Sequence, residues 1–235
     1  MFGDLIREVI DYADDVYRNI KGIRESQDLF DDIAATKDDQ AVAIAAEGLE
    51  AIRSPAPFIT RPFDYGTVIT YPFIPQNWQR TRFSDGLKYG VWYGSLELET
   101  TVYESVRHWQ RFLLDSYATE NRTIRGERRV FLTRAKGILV DLLGKETARP
   151  ELVHRSDYSF TNALGTYLQE QAVNGLLVRS ARCEGRNAAI FRKEILSGVR
   201  DHCHLTYSSN PTMDEVTVER ALGDVLLTIR PSSLM

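Results

Sequence analysis

The sequence predicts an α+β fold, and three observations carry that expectation. Short β-branched and aromatic runs bounded by turn residues outnumber the helical segments. Strands and helices do not alternate regularly, as a doubly wound sheet would require. The composition suits one packed core: 43% of the 235 residues are hydrophobic and 26% are charged, without repeats or low-complexity stretches.

In chain order, residues 2–20 and 38–52 read as helices. Leu5, Ile6, Ile10, Ala13 and Tyr17 recur at helical spacing, and residues 41–46 are rich in alanine, the strongest helix former. Ser54-Pro-Ala-Pro57 breaks this pattern. The expected division is therefore an acidic helical N-terminal extension over 1–55 and a main domain over 56–235. Strands are expected at 67–71, 89–93, 129–132, 137–141, 175–179, 188–191, 203–207, 216–219 and 225–229. Two helices interrupt them. One spans about residues 96–117, with Ser95 as its cap and Glu97 and Glu99 in its first turn. The other spans about residues 160–173 and closes at Asn174-Gly175.

The formal net charge of −4 argues against a dedicated nucleic-acid binder, because phosphate contacts need a basic surface. That charge is unevenly spread. Residues 1–52 hold 13 acidic and 5 basic side chains, which leaves the remainder net positive. Two cysteines, Cys183 and Cys203, are too few for a disulfide framework and suit a reducing compartment. The first residues lack a signal-peptide apolar core, and no apolar run is long enough to span a membrane. A soluble cytoplasmic protein is the expectation.

The stretch from Gly175 to Phe191 holds the densest chemistry. A short apolar run ends in Arg179, Ser180, Arg182, Glu184, Arg186 and Asn187, then turns apolar again. A strand end and its following loop look like this when they line a polar pocket. Three arginines among small residues suit a negatively charged ligand, and Ser180 and Asn187 add directional hydrogen bonds.

Other candidate motifs carry less. Residues 143–147 resemble a phosphate-binding loop, but Leu139 and Glu146 stand where that motif needs Gly and Ser or Thr. His202 and His204 face one side of a strand and Cys203 the other, so no metal site is expected there. Ser180 lies outside a G-x-S-x-G elbow, which disfavours a serine hydrolase. Arg125, Arg128, Arg129 and Arg134 read as a solvated face or as a dock for an acidic partner.

Residues 80–95 run from Arg80 through Arg82, Trp92 and Tyr93 into the helix that holds Glu104. On that helix Leu98, Val102, Ser105, Val106, Trp109 and Leu113 form one continuous face. Glu104 lies about 120° from the centre of that face, so the core does not claim it. One reading is a surface carboxylate paired with Arg107 or His108, worth about 0.2–0.5 kcal/mol. The other is a functional carboxylate.

Arg82-Phe83, Tyr93, Ser95, Thr100 or Thr101, Glu104 and the 175–191 stretch together resemble the RES-domain family, over roughly residues 58–230. The resemblance implies a diphtheria-toxin-like ADP-ribosyltransferase fold. It comprises a mixed β-sheet core with flanking helices, preceded here by the helical N-terminal segment. It implies action on NAD as substrate with no prosthetic group, in a toxin opposed by an Xre-type antitoxin. The family's Arg falls on Arg82, its Tyr on Tyr93, its Glu on Glu104 and its Ser on Ser180. A further Arg falls on Arg61, in Thr60-Arg-Pro-Phe63.

These residue types suit cleavage of the nicotinamide–ribose bond. That step develops an oxocarbenium-like ribose, which a neighbouring carboxylate stabilises. Glu104 would do this while accepting from a ribose hydroxyl. Arg82 and Arg61 would hold the pyrophosphate, Tyr93 would face the nicotinamide ring, and Ser180 and Asn187 would position substrate. Nicotinamide leaves neutral, so no catalytic histidine is needed. The acceptor stays open between water, phosphate and a protein side chain. Two alternatives remain: a mono-ADP-ribosyltransferase, and an inert partner-binding module of the same fold. The acidic N-terminal segment leaves room for a homodimer.

Overall fold

The computed structural model describes residues 2–21 and 65–234. Within them lie eight strands: β1 (Val9–Lys21), β2 (Trp92–Ser95), β3 (Ile124–Asp141), β4 (Gly175–Arg179), β5 (Arg186–Ile190), β6 (Leu196–Ser209), β7 (Val216–Ala221) and β8 (Asp224–Ile229). Three α-helices accompany them: α1 (Gly66–Thr70), α2 (Leu98–Tyr117) and α3 (Ser159–Glu170). The expected α+β class, with a mixed sheet and flanking helices, is what the chain adopts.

The strand order is β1-β2-β5-β4-β3-β6-β7-β8, and β1 also pairs with β3. The first five strands therefore close into a ring, while β6, β7 and β8 extend the sheet beyond β3. Only β3–β4 is parallel; the other pairings are antiparallel. One apolar core takes Tyr12 and Val16 from β1, Trp92 from β2, Ala135 and Leu139 from β3, Leu177 from β4, and Ala188 and Ile190 from β5. All five ring strands thus bury side chains together. The Trp92 indole N–H meets the Val68 carbonyl at 2.9 Å, which satisfies its polar atom and pins α1 to the ring.

The two longer helices cover separate parts of the sheet. Helix α2 packs Leu98, Val102, Val106, Trp109 and Leu113 with Val130, Leu205, Tyr207, Val216 and Val218. Those helical residues belong to the face that the periodicity marked. Leu164 and Leu168 of α3 share another cluster with Phe83, Tyr89, Leu142, Leu152 and Leu176. Truncating a fully buried leucine such as Leu164 costs about 2–5 kcal/mol in comparable cores.

Several expected elements change. Residues 9–21 are a strand, not a helix, because Tyr12 and Val16, four apart, share a strand face as readily as a helix face. Residues 67–71 are not a strand. Gly66–Thr70 forms a helical turn, and the Thr70 hydroxyl bonds back to the Gly66 carbonyl at 3.0 Å. The two strands expected at 129–132 and 137–141 are one strand of 18 residues, bulged against β6. Helix α3 ends at Glu170, and Ala172 rather than Asn174 or Gly175 takes the left-handed turn, with φ 56°. The segment expected as a helix at 38–52 and the boundary at Ser54-Pro-Ala-Pro57 lie outside the described residues.

Candidate active site

Glu104 projects from α2 toward the far end of the ring strands. Its Oε1 accepts from the Ser180 hydroxyl at 2.6 Å and from the Asn187 amide at 2.7 Å. The Asn187 carbonyl oxygen accepts from the Ser95 hydroxyl at 2.7 Å. Ser95 and Asn187 are direct partners across β2 and β5, and Tyr17 of β1 pairs with Ser95 on its other side. The two donors to that carboxylate oxygen come from β5 and the loop after β4, with Ser95 of β2 one hydrogen bond further back, and Ser95, Ser180 and Asn187 are all buried. Each donor to a carboxylate contributes about 1.5–3 kcal/mol, enough to fix the orientation of Glu104. Glu104 Oε2 meets no donor among the described residues.

The loop after β4 is shaped for this contact. The Ser180 N–H donates to the Gly185 carbonyl at 2.7 Å, and the Arg182 N–H donates to the Ser180 hydroxyl oxygen at 3.0 Å. Gly185 lies against the first turn of α2, where a Cβ would fall 1.7 Å from the Thr100 hydroxyl. Only glycine permits that approach. An open cleft of about 850 Å³ adjoins the loop, lined among others by Glu97, Tyr103, Arg155, Ser180, Arg182 and Cys183.

Tyr93 and Arg82 are not among the residues that line this cleft. The Tyr93 hydroxyl accepts from the Phe83 N–H at 2.9 Å, and its ring stacks on Phe83 with centroids 6.4 Å apart. Burial pushes this phenol well above its ordinary range; Arg82 opposes the shift and Glu104 adds to it. From β1, Arg18 donates to the Tyr93 carbonyl and lies 5.1 Å from the Trp92 ring. Burial pulls the Arg18 guanidinium down to about 10. Arg82 donates to the carbonyls of Leu152 at 3.3 Å and His154 at 2.7 Å, and its guanidinium lies 4.7 Å from the Tyr158 ring. Asn162 fixes the backbone at this point through the carbonyls of Thr81 and Arg82, each at 2.8 Å. Arg61 lies outside the described residues.

The helix cap differs from expectation. Glu97, not Ser95, is the N-cap of α2, and no side chain caps the helix. Ser95 ends β2 instead and serves the Asn187–Glu104 chain. The Glu97 carboxylate accepts from the Arg186 N–H at 2.9 Å and its guanidinium at 2.8 Å. Burial opposes that charge, but the Arg186 and Thr100 hydrogen bonds hold the carboxyl below its usual range. Arg179 is also paired, with Glu146 at 3.4 Å and with Glu184. Of the three arginines in this stretch, only Arg182 has no carboxylate partner among the described residues.

The sequence offered Ser95 only as a helix cap and as part of the family signature, offered Arg107 only as a partner for Glu104, and gave no role to Arg18 or Tyr158. Ser95 was readable, being polar at an inward strand position beside Gly94. The others depend on contacts that no local pattern encodes.

An α+β protein with a buried hydrogen-bond chain ending on a helix carboxylate is the class that fold and site define. The RES domain matches residues 50–210, and the chain belongs to that family. The resemblance to that family expected from the sequence therefore holds. The chain is also similar to one in the crystal structure of the M. tuberculosis MbcT–MbcA toxin–antitoxin complex. That similarity has a TM-score of 0.44 and 11% identity, and covers 87% of this chain and 88% of that one. No curated protein matches. Among the described residues no helix is long and apolar enough to cross a membrane.

Proposed function

We propose that this chain is an NAD-consuming enzyme, the toxin of a toxin–antitoxin pair, that breaks the bond between nicotinamide and ribose. The single observation that supports this most is the state of Glu104. One of its oxygens is locked by Ser180 and Asn187, and the other has no donor among the described residues. A fixed carboxylate hydrogen-bonded to Ser180, which lines the open cleft, suits a developing cation better than a proton relay.

In this reading the C–N glycosidic bond breaks and its electron pair stays on the pyridine nitrogen. Nicotinamide leaves neutral, and positive charge develops on the ribose C1′ and ring oxygen. Glu104 stabilises that charge with Oε2, which also accepts from a ribose hydroxyl. Ser180 and Asn187 hold the carboxylate still, Tyr93 forms an aromatic wall for the nicotinamide, and Arg82 shapes the adjoining wall. Water or phosphate then adds at C1′, with loss of a proton to solvent, so no metal or prosthetic group is required.

Family membership favours an Xre-type antitoxin as partner and the cytoplasm as the place of action. The nearest second reading keeps the same residues and passes ADP-ribose to a protein side chain. The test is to incubate the purified protein with adenine-labelled NAD in phosphate and in phosphate-free buffer. Label in free ADP-ribose or its phosphate adduct supports the proposal. Label retained on protein moves it to the transferase reading, and unconsumed NAD in both buffers overturns it.

A further inference from the structure

Three guanidinium groups converge on the Tyr158 side chain. Arg107 of α2 donates to the Tyr158 hydroxyl at 2.9 Å, and Arg182 donates to the same oxygen at 3.3 Å. Arg82 lies 4.7 Å from the face of the ring. Arg182 is 6% exposed, and its other acceptors among the described residues are the carbonyls of Leu234 and Arg155. Among the described residues, no carboxylate lies within ion-pairing distance of Arg82, Arg107 or Arg182, whereas Arg179 and Arg186 each have one.

Neutral acceptors fix the geometry of a guanidinium without cancelling its charge. Clustered cations repel, and taking one out of water is costly unless an anion joins it. Burial and the like charge of Arg107 both pull Arg182 down, while Glu104 pulls it up. Arg182 also lines the cleft beside Ser180. Three guanidinium charges therefore meet at Tyr158, although the cleft itself is also lined by Glu97, Glu99, Glu146 and Glu184. Forked guanidinium donors are well matched to phosphate oxygens.

We infer that Arg107 and Arg182, held by Tyr158 and flanked by Arg82, form the seat for the diphosphate of the substrate. The seat rests on the reading of NAD as substrate, and it adds two cationic residues and a tyrosine to the site. Tyr158 acts as a positioning residue: its hydroxyl receives both guanidinium groups and its ring carries the third.

The test measures binding of inorganic pyrophosphate and of ADP-ribose by calorimetry at low salt, for the natural protein and for Arg107→Gln, Arg182→Gln and Tyr158→Phe. Each arginine variant should bind both ligands at least about tenfold more weakly. Tyr158→Phe should weaken both by a smaller factor, while nicotinamide alone binds all four proteins alike. Arg107 is only half-buried and off the core face of α2, so Arg107→Gln decides the matter if Arg182→Gln fails to fold. Unchanged pyrophosphate affinity in Arg107→Gln, or no pyrophosphate binding by the natural protein, overturns the inference. Arginine-dependent pyrophosphate binding without nicotinamide release from NAD would support the seat and sink the proposed reaction. The reverse result would do the opposite.

Discussion

The Ser180 hydroxyl gives its proton to Glu104 Oε1 and takes the Arg182 N–H, which commits its proton and one lone pair. A hydroxyl held this way orients a carboxylate and is poorly placed to attack. Ser180→Ala should therefore slow nicotinamide release by about ten- to a hundredfold. Mass spectrometry of the natural protein during turnover should show no adduct on Ser180, and finding one would reverse the assigned role. Residue types near the site were partly legible. The helical wheel set Glu104 apart from the core face of α2. It offered only Arg107 or His108 as partners, because a wheel sees neighbours three and four positions away. The actual donors are 76 and 83 positions distant. Likewise the arginines of 175–191 look alike in sequence, and only the fold separates the neutralised Arg179 and Arg186 from Arg182.

At the scale of elements, the loop between β4 and β5 transmits the position of α2 to Ser180. Gly185 makes this possible by touching Thr100. Gly185→Ala should push the loop off the helix, lowering stability by about 1–3 kcal/mol in chemical denaturation and lowering activity further than that loss explains. A variant with natural stability and natural activity would show that the close approach has no function. The elements themselves were unequally readable. Strand β4 matches its expected bounds because an unbroken apolar run between Asn174 and the polar cluster leaves little choice. Strand β1 was misread because its acidic, alanine-containing sequence lacks a consistent alternation. Its identity comes from tertiary context: a 13-residue ladder with β3 and the Tyr17–Ser95 pairing with β2. The β-branched run after Gly66 went the other way, since the Trp92–Val68 bond and Pro72 favour a turn.

At the scale of the whole molecule, buried tyrosines among the described residues should set the alkaline limit of stability. Burial raises Tyr12 to about 12 and also moves Tyr89, Tyr93 and Tyr207 upward. A tyrosine whose folded pKa exceeds its unfolded value leaves stability intact below about pH 10. Stability then falls as pH climbs toward the raised value, because only the unfolded chain ionises readily. Melting temperature should hold steady up to about pH 9 and fall between about pH 10 and 12. Phenolate absorbance should show some of the 11 tyrosines ionising only as the protein unfolds. Ionisation of every tyrosine near pH 10 without unfolding would contradict this account of their burial.

The closed ring also explains why residues far apart in sequence share one site. Strand β2 brings Tyr93 and Ser95, β5 brings Asn187, the end of β4 brings Ser180, and α2 places Glu104 against them. The claim at the centre is that the charge on Glu104 drives departure of nicotinamide. Glu104→Gln tests it most directly, because a glutamine carbonyl still accepts from Ser180 and Asn187 while the charge is gone. Nicotinamide release from NAD by the natural protein should fall at least about a hundredfold in Glu104→Gln, with the melting temperature preserved. Equal release by the two proteins would contradict the account.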